Sequence, residues 1–159
     1  MPITTFEEQL AVRGQICFTN VGRSMMPLLR EGRDIMVIDK KGAEPCKNHD
    51  AVLFKRYGVH GRGAYVMHRI LRVNKDGTYW IVGDACIKGE TVNEDQILGI
   101  LTAVIRDGKR INVTDKKYRL YVFFVASLWP LHHVWLYTRN FFRRVISKLK
   151  RIFRKKGSS

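Results

Sequence analysis

The chain has 159 residues, 45% of them hydrophobic and 27% charged, which fits one globular core with an appendage. Its three cysteines, Cys17, Cys46 and Cys86, form no CxxC and no metal-ligand spacing; this argues against a disulfide-stapled secreted domain and for a reducing compartment. The formal net charge of +15 is unevenly placed: every Asp and Glu lies at or before Asp115, whereas Leu120 to Ser159 hold nine Lys and Arg and no acid. The last quarter of the chain must therefore meet an anionic partner.

In chain order, the first residues carry neither a basic start nor an apolar run, so neither a cleavable signal peptide nor an N-terminal transmembrane anchor is expected. Residues 4–13 read as a short helix, with Thr4 or Thr5 as N-cap, Glu7 and Glu8 in the first turn, and Phe6, Leu10 and Ala11 on one side. Strand formers fill 15–21, and the Gly22-Arg23-Ser24-Met25-Met26-Pro27 turn follows directly. Ile35 to Asp39 is a short apolar run flanked by charges, the pattern of a buried strand. Ala51 to Lys55 reads as a third strand and Tyr57 to Gly63 as a loop. Ala64 to Val73 and Thr78 to Val82 form a hairpin around Lys75-Asp76-Gly77, after which a loop is expected through Glu90. Ile97 to Arg106 and Arg110 to Val113 make a second hairpin about Asp107-Gly108. The pattern predicts a mostly antiparallel β domain over residues 1–115, with the helix at its start.

The character changes at Lys116, and residues 116–159 read as a separate, membrane-associating tail. Tyr118 to Tyr137 is apolar and aromatic but broken by Pro130 and two histidines, and its uninterrupted part is about half the roughly 20 residues a membrane span needs. Beyond it, Phe141, Val145, Leu149 and Ile152, with Phe142, Ile146 and Phe153, recur at helical spacing among Lys and Arg. This is a basic amphipathic helix. Its apolar face suits a membrane surface, whereas nucleic acid phosphates require none, so nucleic acid is the disfavoured partner. The expected location is the cytoplasmic face of a membrane, held by residues 118–156, with a true span through 118–138 as the alternative.

Ser24 lies between Gly22, which is free to turn, and Pro27, whose φ is fixed. On local composition alone it is a turn serine. A nucleophile needs a base, and His68, on a predicted strand, is a candidate; Asp84, on the adjacent strand of the same hairpin, is placed to orient the imidazole. Cys86 with His68 is a rival nucleophile, but nothing around it in the sequence lowers a thiol pKa. His49, His60, His132 and His133 show no metal-ligand pattern, and neither a metal nor a cofactor is expected.

These residues, in content and order, carry a family resemblance. Gly22-Arg23-Ser24-Met25-Met26-Pro27, Glu31-Gly32, His68-Arg69-Ile70, Gly83-Asp84-Ala85 and Ile97-Leu98-Gly99 resemble the signal peptidase I and LexA-like superfamily of serine proteases, over about Phe18 to Val104. With a histidine at the base position, the chain is similar to the endoplasmic-reticulum and archaeal signal peptidases rather than to the lysine type. The resemblance implies a signal-peptidase-like β fold and a serine endopeptidase that cleaves a precursor or leader peptide, with small side chains near the cut. Ser24 would be nucleophile and His68 general base. The histidine-type enzymes carry a further acid several residues beyond the Gly-Asp, where the nearest equivalents here are Gly89 and Glu90, with Asp95 beyond, so the third member is Asp84 first and Glu90 second. Arg23, Met25 and Pro27 would contact substrate, and the Ser24 backbone N–H, with Arg23 or Met25 beside it, would meet the oxyanion. The remaining rival is a membrane- or nucleic-acid-binding protein that keeps the β scaffold without catalysis.

Overall fold

The computed structural model describes residues 5–57 and 64–156; His60 and the rest of the 58–63 stretch lie outside them. Helix α1 (Phe6–Arg13) begins at Thr5, the second of the two expected caps. Thr5 Oγ1 accepts from Glu8 N–H at 3.2 Å, and the Glu8 carboxylate accepts from Thr5 N–H at 3.3 Å, a reciprocal capping box.

Eight strands follow: β1 (Gln15–Thr19), β2 (Ile35–Lys40), β3 (Ala51–Arg56), β4 (Ala64–Val73), β5 (Tyr79–Val82), β6 (Gly89–Val92), β7 (Ile97–Arg106) and β8 (Lys109–Asn112). All pairings are antiparallel, in the order β1-β2-β7-β3-β4-β5-β6, with β8 on β7. The protein is therefore mostly antiparallel β, with a few helices. One expectation fails: Gly89 and Glu90 are not loop but the start of β6, paired with Val82 and Ile81. A β-carbon on Gly89 would lie 2.6 Å from Val82 Cγ2 and 2.7 Å from Trp80 Cζ2, so the strand can close only over a glycine. Pairing overrides the weak strand propensity that suggested a loop.

β3 shows how one sheet serves two cores. Its side chains alternate, so Ala51 and Leu53 join a cluster with Leu10, Met25, Leu29 and Leu101, while Val52 and Phe54 join one with Ile70, Tyr79, Ile81 and Val92. The same alternation runs along β4, where His68 pairs in register with Val52 and Arg69 with Ala51. Adjacent residues of β4 thus address opposite sides of the sheet.

The predicted tail divides in two. Helix α2 (Lys116–Val122) and the wide turn Phe123–Ser127 pack Tyr118, Val122 and Ala126 into the first core cluster. Burying a side chain such as Val122 contributes about 1.5–3 kcal/mol, so this segment belongs energetically to the β domain rather than to an appendage. Helix α3 (Trp129–Lys156) then turns away at 71°. Pro130 does not break it, because it stands in the first turn, where its missing N–H has no intrahelical role. Among the described residues no single helix is long and apolar enough to cross a membrane; by length and composition the bent pair 116–127 and 129–143 is.

Candidate active site

Ser24 is held on a loop fixed from three directions. Asn20 N–H donates to Asp34 O at 2.9 Å, and the buried Asn20 side chain donates to Gly22 O at 2.9 Å. Gly22 has φ 111°, a conformation that favours glycine. Met25 and Leu29 are sunk into the core, and Arg106 closes the base, donating to Leu28 O at 2.7 Å and to the buried Asp34 carboxylate. That pairing with Arg106 holds the Asp34 carboxyl below its usual range although burial alone would raise it. Ser24 is left half-buried at the rim.

The turn after β5 docks on this loop. Ala85 N–H donates to Ser24 O at 2.7 Å. A β-carbon on Gly83 would stand 2.6 Å from Ser24 O, 2.9 Å from Cys86 Sγ and 3.0 Å from His68 Nε2. Serine loop and imidazole therefore converge on the space that a single methyl would fill, and only glycine leaves it open.

His68 is buried against Phe54, with ring centroids 6.0 Å apart. Burial lowers its pKa from 6.5, Arg56 pushes the same way, and the Glu90 and Asp84 charges pull back without cancelling the effect. The ring is therefore neutral at pH 7. Its Nδ1 is buried, has no hydrogen-bond partner among the described residues, and faces Glu90 Oε1 at 3.6 Å, just beyond a hydrogen bond. Glu90 is gripped by Arg56, whose Nε donates to Oε2 at 2.7 Å and whose Nη2 pairs with Oε1.

The two candidate acids exchange places relative to expectation. Asp84 receives a two-pronged ion pair from Arg69, Nε to Oδ1 at 2.8 Å and Nη2 to Oδ2 at 2.7 Å, and Tyr121 O–H donates to Oδ2 at 2.8 Å. Arg69 also donates to His49 O at 2.9 Å. Burial would lower the Arg69 pKa, but the Asp84 charge and hydrogen bonds raise it overall, so the guanidinium stays charged inside the core. The reason is the strand period: His68 and Arg69 are neighbours and point apart, and Asp84 falls on the Arg69 side. Glu90, not Asp84, faces the imidazole.

Of the expected substrate contacts, Arg23 and Pro27 are exposed, and Arg23 pairs with Glu31 at 2.7 Å. The Met25 side chain is a correction, since at 1% exposure it packs in the core and only its backbone remains near the serine. Burial and then the Asp84 charge raise the Cys86 thiol pKa, which disfavours the thiolate that a cysteine nucleophile needs. Among the described residues no three His, Cys, Asp or Glu side chains are gathered to hold a metal ion. Sequence reading missed Arg56 and Tyr121. Arg56 carries a faint signal, two residues after Phe54 on one strand face; Tyr121 was absorbed into the aromatic tail.

The fold and site thus define an antiparallel β protein in which the backbone of a loop serine and a buried histidine border one glycine, and a carboxylate faces the far side of the imidazole at 3.6 Å. Comparison with protein-family models, curated proteins and solved structures finds no match to this chain.

Proposed function

We propose that the protein is a serine endopeptidase of signal-peptidase type, with Ser24 as nucleophile, His68 as general base and Glu90 as the acid that steadies the imidazolium. The observation that carries this reading is the convergence of the Ser24 loop and His68 Nε2 on Gly83, with Nδ1 turned to Glu90. A neutral His68 with its Nδ1–H toward Glu90 leaves Nε2 as the acceptor, the tautomer that takes a serine proton. Ser24 Oγ attacks the peptide carbonyl as its proton passes to Nε2, and the charged ring draws Glu90 in across the 3.6 Å gap. The proton then goes to the leaving amine, and water, activated by the same nitrogen, releases the acyl group from the serine. The Ser24 backbone N–H meets the oxyanion.

Strand β1 has one paired neighbour in the sheet and runs directly into the serine loop, which suits a substrate docked as an added strand. Helices α2 and α3 and the turn between them leave Leu120, Phe123, Phe124, Leu131, Trp135 and Phe142 exposed, and exposed apolar side chains beside Lys and Arg suit an anionic bilayer. Membrane attachment is therefore part of the proposal, as an interfacial arrangement.

The test uses the full chain in detergent with an extended peptide carrying small residues around one bond. Ser24→Ala and His68→Ala should each lower cleavage at least about 10³-fold while leaving the thermal melt in place. A folded Ser24→Ala protein that cleaves normally sinks the reading.

A further inference from the structure

The serine loop and α3 enclose a trough of about 550 Å³ whose lining includes Arg23, Arg30, Glu31, Ala85, Arg139 and Arg143. It adjoins the proposed nucleophile: Arg23 precedes Ser24 in the chain, and Ala85 N–H holds Ser24 O at 2.7 Å. Four guanidinium groups face one carboxylate. Glu31 is occupied by Arg23 at 2.7 Å, whereas among the described residues no ion pair forms on Arg30, Arg139 or Arg143.

Arg139 is the most informative of these. Its guanidinium lies 4.8 Å from the centroid of the Trp135 ring, one helical turn back, and the residue lines the trough. Its Nε is buried and has no hydrogen-bond partner among the described residues. A buried donor without an acceptor is costly, and a carboxylate entering the trough would supply that acceptor.

We infer that this trough selects an acidic side chain of the substrate, two or more residues away from the bond cut at Ser24. The inference rests on the peptidase reading above and adds a substrate class to it: peptides with Asp or Glu flanking the small residues. The trough's place beside the serine loop favours a peptide over a lipid headgroup. Leu136, Arg139, Asn140 and Arg143 share one stripe of α3, and Leu136 at its start is 1% exposed, so the stripe faces the β domain. Of the exposed apolar side chains, Leu131 and Val134 lie on the far side of the helix, whereas Trp135 and Phe142 flank Arg139 at the edge of the stripe. Arg139 and Arg143 therefore line the trough beside the serine loop, with Arg139 where the trough meets the apolar surface.

The experiment measures equilibrium binding to the full-length Ser24→Ala protein in neutral detergent, which separates recognition from bond cleavage. The probes are two fluorescent decapeptides, identical except that one carries two glutamates and the other two glutamines beside an Ala-rich centre. The glutamate peptide should bind about tenfold more tightly, as one desolvated charge-assisted pair provides. In Arg139→Gln/Arg143→Gln the preference should fall below about twofold, and Arg143→Glu should turn it toward a lysine peptide. Equal binding of the two peptides overturns the inference. So does a preference that survives the double substitution. A double variant that keeps the peptide preference but loses phosphatidylglycerol vesicles would assign the arginines to headgroups and overturn it as well. None of these outcomes depends on Ser24 being a nucleophile, whereas loss of cleavage in Ser24→Ala tests that alone.

Discussion

Two neighbours on β4 each meet a carboxylate, and the pairs are built differently. Arg69 and Asp84 are both fully buried, joined by two hydrogen bonds of 2.7–2.8 Å, with Tyr121 and the His49 carbonyl filling further positions. His68 and Glu90 stand 3.6 Å apart, Nδ1 has no hydrogen-bond partner among the described residues, and Glu90 is shared with Arg56. A closed pair holds structure together; a loose one can tighten when charge appears on the ring. The comparison teaches that an acid close to a histidine in sequence order is not thereby its partner, and that the strand period decides which it serves.

The largest effect should come from breaking the closed pair. Asp84→Asn leaves a buried guanidinium without its counter-charge, and a loss of about 3–5 kcal/mol is expected in denaturant unfolding. Should the melt barely move, the pair is not the structural one. Glu90→Gln should do the opposite, changing stability by less than about 1 kcal/mol because its ion pair is partly exposed. In exchange, kcat should fall on the order of 10²-fold. If Asp84→Asn protein that remains folded loses kcat while Glu90→Gln retains it, the assignment of the two acids reverses.

Next in size is the link from the helical segment to this network. Tyr121→Phe removes one hydrogen bond to a buried carboxylate, which should cost about 1–3 kcal/mol without altering cleavage by the folded protein. An unchanged melt would mean that the aromatic stretch owes its place in the core to packing alone.

These contrasts also mark what the sequence could reveal. Local signals were strong where turn chemistry and alternation agree: the Asp76-Gly77 hairpin, the apolar run from Ile35 and the Thr5 cap all stand where their residues require. They failed where a partner distant in sequence decides the outcome. Gly89 is strand because β5 accepts it, and Tyr118 and Val122 are core because the sheet leaves a face for them, although their composition reads as membrane surface. At the site, Ser24 and His68 were legible as residues, whereas the role of Gly83, whose missing side chain leaves room between the Ser24 carbonyl and the imidazole, was not. The division of labour between Asp84 and Glu90 was not, since it depends on which way two adjacent side chains point.

The smallest effect is the most diagnostic of the loose pair. Burial and Arg56 lower the His68 pKa from 6.5, so the base is in its active, neutral form down to below that pH. The acid limb of kcat/KM should accordingly lie under pH 6.5. A histidine depressed in this way also contributes stability that is fully present above the unfolded value and is lost as pH falls through the folded one, so the melt should soften over the same range. Arg56→Gln removes a cation that disfavours the imidazolium and releases Glu90 toward Nδ1. Both changes raise the His68 pKa, and the limb should move to higher pH. A limb that stays fixed in Arg56→Gln but moves in Asp84→Asn would show that the imidazole is tuned from the Arg69 side of the strand, and the loose pair would lose its claim to the chemistry.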